Sequence, residues 1–124
     1  MLSLMHPRIE WVQNHGFPAG GPHHGAEHVL DDVLSQFRLN WTGFGARITE
    51  WIDGGDTVVA VGAYHGTFNG TGRTLDPPAA FTHVLDIHDG RVVRFRQFTD
   101  TALIRRAMGI PCDQDVVRPA SLPA

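Results

Sequence analysis

The stretch THVLDIHDGRVVRFRQFTD, residues 82–100, decides the fold. It reads as two strands joined by a tight turn around Asp89-Gly90, because Asp-Gly between alternating apolar runs is a strong short-range hairpin signal. It also carries His83 and Gln97 among residues that otherwise read as core.

Register determines where those two residues lie. If only Asp89 and Gly90 form the loop, residue 88 faces 91, His83 shares a face with Arg96 and both faces are mixed. If the loop is His88-Asp89-Gly90, with Gly90 in the left-handed conformation, 87 pairs with 91 and odd residues face odd ones. Phe81, His83, Leu85, Ile87, Val93, Phe95, Gln97 and Thr99 then share one face, with Arg91 at its turn end. Thr82, Val84, Asp86, Val92, Arg94, Arg96 and Phe98 share the other, which collects most of the charge. The second register is therefore expected, with His83 and Gln97 on the apolar, concave side about one residue pair apart.

A buried imidazole or amide without a partner costs about 1–3 kcal/mol. These two side chains are therefore satisfied by each other, by water or by a ligand. One reading is a pair of satisfied core polar groups. The other is two polar groups converging in an apolar pocket, the usual make-up of a small-molecule site.

Working outward, RIEWVQN at 8–14 reads as a short strand and HGFPAGGPHHG after it as a Gly/Pro loop. Val29, Leu30, Val33, Leu34 and Phe37 recur at helical spacing and predict a helix from Ala26 to Arg38. From Ala46 the pattern turns to strands: ARITEWI, a turn at DGGD, TVVAVGAYHGTF, a turn at NGTG, and a run that Pro77-Pro78 delay until Ala79. Asp100 then caps a last helix, TALIRRA, which stops at Gly109.

The chain has 124 residues, enough for one core: a domain at 1–109 and a tail at 110–124. Net charge is −3 with 19% charged residues, which leaves no basic footprint for nucleic acid. No apolar run approaches bilayer-spanning length, and MLSLM is too short and lacks the basic start of a signal peptide. The lone cysteine, Cys112, makes no internal disulfide, so a reducing, cytoplasmic setting is the default. A small, neutral or weakly charged ligand fits these bounds.

The pieces IEWVQ, GAEHVLDDV, GDTVVAVGAYHGT, TGR and above all FTHVLDIHDGRVVRFRQFTDTALI, in this order over residues 8–109, resemble the SnoaL-like branch of the nuclear transport factor 2-like superfamily. That superfamily also includes ketosteroid isomerases and limonene epoxide hydrolases. The resemblance implies an α+β fold, a cone-shaped curved antiparallel sheet wrapped around helices, with a deep apolar pocket and usually a homodimer. Gln97 falls where the cyclases and epoxide hydrolases have a catalytic aspartate, and an amide takes up no proton at neutral pH. His83 falls near the protonated aspartate with which ketosteroid isomerases hold the developing oxyanion. An imidazole can donate there or act as general base.

Asn14 occupies a place broadly comparable to the water-holding asparagine of the epoxide hydrolases. The other residues of that mechanism would fall on Val12 and among Val61, Gly62, Ala63 and Tyr64, which argues against epoxide hydrolysis. The family's first helix has no full counterpart ahead of the first strand, although LSLM matches its last turn. Either the true start lies upstream or dimer contact closes the gap, and uncovered apolar surface is expected there.

Trp11, Phe81 and Phe95 are expected as pocket walls, and either Tyr64 or His65, since alternation sends them to opposite faces. Gly62 and Gly66 flank Tyr64 and leave room around its ring. His23, His24 and His28 lack a clear carboxylate partner and the three ligands a zinc site needs, so neither metal nor cofactor is expected. Arg94, Arg96 and Phe98 on the outer face suit a dimer interface. Two function classes remain. The first is an isomerase or cyclase type of enzyme acting on a small apolar carbonyl compound, with His83 and Gln97 catalytic and Asn14 orienting substrate or water. The second is a module that binds a hydrophobic ligand or a partner without chemistry.

Overall fold

A computed structural model describes residues 4–111; Cys112 and the rest of the expected tail lie outside the described residues. Six strands form one curved sheet in the order β2-β1-β6-β5-β4-β3. They are β1 (Met5–Gln13), β2 (Gly21–His24), β3 (Trp41–Asp53), β4 (Thr57–Phe68), β5 (Ala79–His88) and β6 (Arg91–Thr99). All neighbours are antiparallel except β1 and β6, which run parallel, a departure from the expected all-antiparallel sheet.

One helical run links β2 to β3: α1 (Ala26–His28), a π-helical stretch (Val29–Leu34) and α2 (Ser35–Asn40). Val29 and Val33, four residues apart, are fully buried, and Phe37 continues that face. The run ends two residues later than its apolar spacing predicts. Trp41 then opens β3 five residues before the expected start, because its buried side chain joins the core beside Phe44 and Phe68. The Gly/Pro segment after β1 hides β2, whose backbone pairs Trp11 with His23 and Gln13 with Gly21. Its composition masks it, since Gly and Pro carry no strand signal.

The hairpin of β5 and β6 corrects the expected register. Asp89 (φ 52) and Gly90 (φ 75) form the two-residue loop, and His88 pairs with Arg91 and Ile87 with Val92. A bulge follows, so that Asp86 pairs with Arg94, Leu85 with Phe95 and His83 with Gln97. The extra residue flips the alternation of β6, which is how a two-residue turn coexists with unmixed faces. Val92 therefore joins the apolar interior where strict alternation places Val93. His83 and Gln97 stand directly opposite each other rather than one pair apart.

Bulges at 42–45 and 48–50 bend β3 over β4. Here Gly62 and Gly66 also serve main-chain approach. A Cβ on Gly62 would lie 2.1 Å from the Arg47 carbonyl oxygen, and one on Gly66 2.9 Å from Phe44 Cα. Asp100 accepts from the Leu103 N–H at 3.2 Å and starts α3 (Thr101–Ala107) as the sequence indicates. α3 buries Ile104 and Ala107 against Phe17, Trp41, Tyr64 and Phe81. A second cluster gathers Met5, Ile9, Trp11, Val29, Val33 and Phe95. Gly62→Ala should lower the unfolding free energy by about 1–3 kcal/mol, the cost of overpacking a close approach. Urea denaturation reads this directly, and a loss below about 0.5 kcal/mol, the ordinary surface-substitution range, would show that β3 can move aside.

Candidate functional site

Between the two core clusters the interior is left unfilled. The cavity has a volume of about 450 Å³. Its walls combine Ile9, Trp11, Leu34, Phe37, Phe44, Leu85 and Phe95, and its polar atoms come from Gln13, Tyr64, His83 and Gln97. Among the described residues no Asp, Glu, Lys or Arg lines it. Leu4, Ile48 and Trp51 also line it while staying exposed, Trp51 by 60%, and they make an apolar lip. A second hollow, lined by Pro7, Glu27, His28 and Arg91 among others, shares Met5 with the first and has no Phe, Tyr or Trp in its lining.

The sheet puts Ala60, His83 and Gln97 in one row across β4, β5 and β6. Tyr64 pairs with Ala79, further along β4, yet its hydroxyl reaches back to this row. Gly62, the intervening residue on that face, has no side chain in the way. The phenol lies 2.5 Å from His83 Nε2 and 2.9 Å from Gln97 Nε2. Phe81 stacks on His83 with ring centroids 4.1 Å apart and holds the imidazole plane from behind. Trp11 stacks on Phe95 at 3.7 Å in the adjoining row of the same sheet face, where Phe95 meets the His83 ring at 4.7 Å.

One donor orients the amide of this series. The backbone N–H of Asn14 donates to Gln97 Oε1 at 2.9 Å, which turns Gln97 Nε2 toward Tyr64. We assign the contact beyond it with the Tyr64 hydroxyl, already accepting from that amide, as donor to His83 Nε2. His83 is then neutral and protonated on Nδ1, an atom with no protein hydrogen-bond partner among the described residues. Burial supports the same state, lowering the His83 pKa from 6.5 to about 4. Burial also raises the Tyr64 pKa, against a smaller opposite pull from the Gln97 hydrogen bond, so the phenol stays protonated.

Of the side chains expected from sequence, His83, Gln97, Trp11, Tyr64 and Phe95 meet at the cavity. His65 is exposed, which settles the Tyr64 or His65 alternative. Asn14 and Phe81 stand behind the lining. Asn14 Oδ1 accepts from the Thr99 N–H at 2.9 Å and its Nδ2 donates to the His15 carbonyl at 3.3 Å, so this side chain braces strands instead of facing a ligand. Gln13 is a lining residue that sequence reasoning missed. It is 2% exposed, accepts from Trp11 Nε1 at 2.8 Å and donates to the Pro18 carbonyl at 3.3 Å. Period-two alternation from Trp11 was the available signal.

The histidines at 23–28 do have a carboxylate, contrary to expectation. His28 Nδ1 lies 2.5 Å from Asp32 Oδ2, and its Nε2 lies 2.9 Å from His23 Nδ1. Among the described residues no group of three or more ligand-type side chains is arranged for a metal. No helix among them is long and apolar enough to cross a membrane.

The family model of the SnoaL-like domain matches residues 1–95. The chain belongs to the SnoaL-like family. Among solved structures, this SnoaL-like protein is similar to an NTF2-like protein from Burkholderia thailandensis, at 35% identity and TM-score 0.82, covering 87% of this chain and 82% of that one. It is also similar to an NTF2-like protein of unknown function from Burkholderia pseudomallei, at 26% identity and TM-score 0.76 over 86% and 80%. A third is TerC, crystallised with polyporic acid, at 27% identity and TM-score 0.75 over 87% and 82%. No curated protein matches the chain.

The depressed His83 pKa has a consequence for stability. As pH falls from about 6.5 to about 4 the unfolded chain takes up a proton that the native histidine refuses, so stability present above 6.5 is lost across that window. At 1.36 kcal/mol per unit this amounts to about 3 kcal/mol. Urea unfolding of the wild type between pH 7.5 and 4 should therefore show about that much more loss than His83→Leu over the same range. Parallel pH profiles for the two proteins would mean that His83 is not held neutral by the fold.

Proposed function

We propose that the cavity binds a small, uncharged, apolar carbonyl compound whose oxygen accepts from His83 Nδ1–H, and that the protein stabilises the corresponding enolate as an isomerase or cyclase type of enzyme. The observation that carries this is His83 in an apolar cavity, its Nδ1 without a partner among the described residues and no Asp, Glu, Lys or Arg among the described lining residues. Aromatic and aliphatic walls supply affinity by apolar burial, and the His83 donor supplies orientation. A donor pre-aimed in a low-dielectric site stabilises negative charge developing on oxygen without reorganisation.

His83 serves as oxyanion donor in this reading and not as general base. Its Nε2 lone pair is engaged by Tyr64, and its Nδ1 carries the proton. The chemistry supported is then polarisation of a carbonyl whose α-proton is taken by solvent or by a basic group of the substrate itself. The relative co-crystallised with polyporic acid supports a small-molecule role for the cavity. The second reading, binding without turnover, rests on the absence of any carboxylate among the lining residues.

1-Tetralone labelled with carbon-13 at the carbonyl tests both readings. Bound to the wild type, its carbonyl resonance should move downfield. His83→Leu should weaken affinity about tenfold, the worth of roughly 1.4 kcal/mol, and abolish the shift. Equal affinity and an equal shift in that variant would sink the proposal. In deuterated buffer, α-proton exchange faster than in buffer alone supports the enzyme, and exchange at the buffer rate with intact binding supports the module.

The outer sheet face supports a homodimer. Phe98 is 52% exposed there beside Arg96, and Ile52, 46% exposed, lies three strands away on β3. Sedimentation equilibrium should give a dimer for the wild type and a monomer for Phe98→Glu. A wild-type monomer at tens of micromolar would dismiss the dimer.

A further inference from the structure

Gln13 and Gln97 are 2% and 3% exposed, and each carboxamide nitrogen carries two N–H bonds. Gln13 Nε2 uses one on the Pro18 carbonyl at 3.3 Å, and Gln97 Nε2 uses one on the Tyr64 hydroxyl at 2.9 Å. The second N–H of each has no acceptor among the described residues. A buried donor left without an acceptor costs about 1–3 kcal/mol, so an acceptor from outside the chain is called for.

Both glutamines line the cavity, and each side-chain oxygen already accepts one hydrogen bond, from Trp11 Nε1 and from the Asn14 N–H. The unused N–H of each amide is what it offers to an acceptor on a ligand. They follow one another across three neighbouring strands. His83 pairs with Gln97, and Trp11 pairs with Phe95, which brings Gln13, two residues on, beside Gln97. Neighbouring strands lie about 4.8 Å apart.

We propose that the cavity selects ligands with two uncharged acceptor oxygens, as in a cyclic dione or quinone, the first on His83 Nδ1–H and the second on the free N–H groups of Gln97 and Gln13. This rests on the carbonyl-binding reading above and adds the second oxygen to it. The oxygens lie roughly one to one and a half strand spacings apart, about 5–7 Å. Gln13 is thereby a specificity-determining residue. The lack of any ionised lining group makes the site discriminate by number and spacing of acceptors, not by charge.

The test compares two probes of similar bicyclic size, 1-tetralone with one oxygen and 2,3-dimethyl-1,4-naphthoquinone with two. The methyl groups of the quinone block addition of the chain's cysteine thiol. Titration calorimetry on the wild type should show the dione bound about tenfold tighter, one hydrogen bond's worth. Gln13→Met should remove most of that preference, lowering dione affinity several-fold more than tetralone affinity. Gln13→Glu keeps an oxygen for Trp11 Nε1 but replaces the amide nitrogen, which also donates to the Pro18 carbonyl, by oxygen, so it should lose the preference at some cost in stability, and a melting curve confirms that the variant is folded at the titration temperature. A wild type that does not prefer the dione, or a preference retained in both Gln13 variants, overturns the second-oxygen proposal. Failure of the carbonyl reading is separate: it appears as tetralone affinity indifferent to His83→Leu, whatever Gln13 does.

Discussion

The backbone N–H of Asn14 can only donate, and the orientation of the buried amide follows from that. It fixes which end of the Gln97 amide faces β1 and hence which end faces Tyr64; with Tyr64 assigned as donor to His83 Nε2, the imidazole keeps its hydrogen on Nδ1. Hydrogen bonds in such a series polarise one another in a low-dielectric interior, so the terminal Nδ1–H is a stronger donor than an isolated imidazole would be. The geometry behind the series is backbone geometry. Asn14 is tied to β6 through its side chain at Thr99, and Gln97 and His83 are tied across the β5–β6 pair.

A cavity persists here because the two core clusters close on different partners. α3 and the 14–20 loop fill one side with Phe17, Ile104 and Ala107, and the π-helical stretch fills the other with Val29 and Val33. Neither reaches the row of His83 and Gln97. β3 could have closed the gap, but its bulges lift it over the glycines of β4. Its inner residues Ile48 and Trp51 are left as an exposed lip.

Much of this was legible in the sequence, and the failures have definite causes. Asp100 as a cap, the turn at DGGD and the helix start at Ala26 follow from local chemistry and stand as read. The face shared by His83, Gln97 and Phe95 was found for a reason only half correct. A three-residue loop and a two-residue loop followed by a bulge both restore odd-with-odd pairing. Nothing at Val92-Val93 marks the bulge, because either valine suits an apolar face. β2 was invisible because two of its four residues are Gly and Pro, poor strand formers held by pairing with β1. Tyr64 was left open against His65 because alternation alone does not say which parity of β4 faces inward. Gln13 was overlooked although Trp11 had already been assigned inward and period two carries that assignment to residue 13.

The amide at position 97 carries more meaning than the loss of the carboxylate that cyclases and epoxide hydrolases place there. A carboxylate would still accept from the Asn14 N–H, but its second oxygen would attract the Tyr64 proton instead of donating to the phenol. Tyr64 would then have only lone pairs to offer His83. The imidazole would have to place its hydrogen on Nε2 to keep that contact, leaving Nδ1 as a bare acceptor facing the cavity. The same fold would present a base where it now presents a donor. Replacing oxygen by nitrogen in one buried side chain therefore reverses the polarity of the site two residues away, without moving a strand.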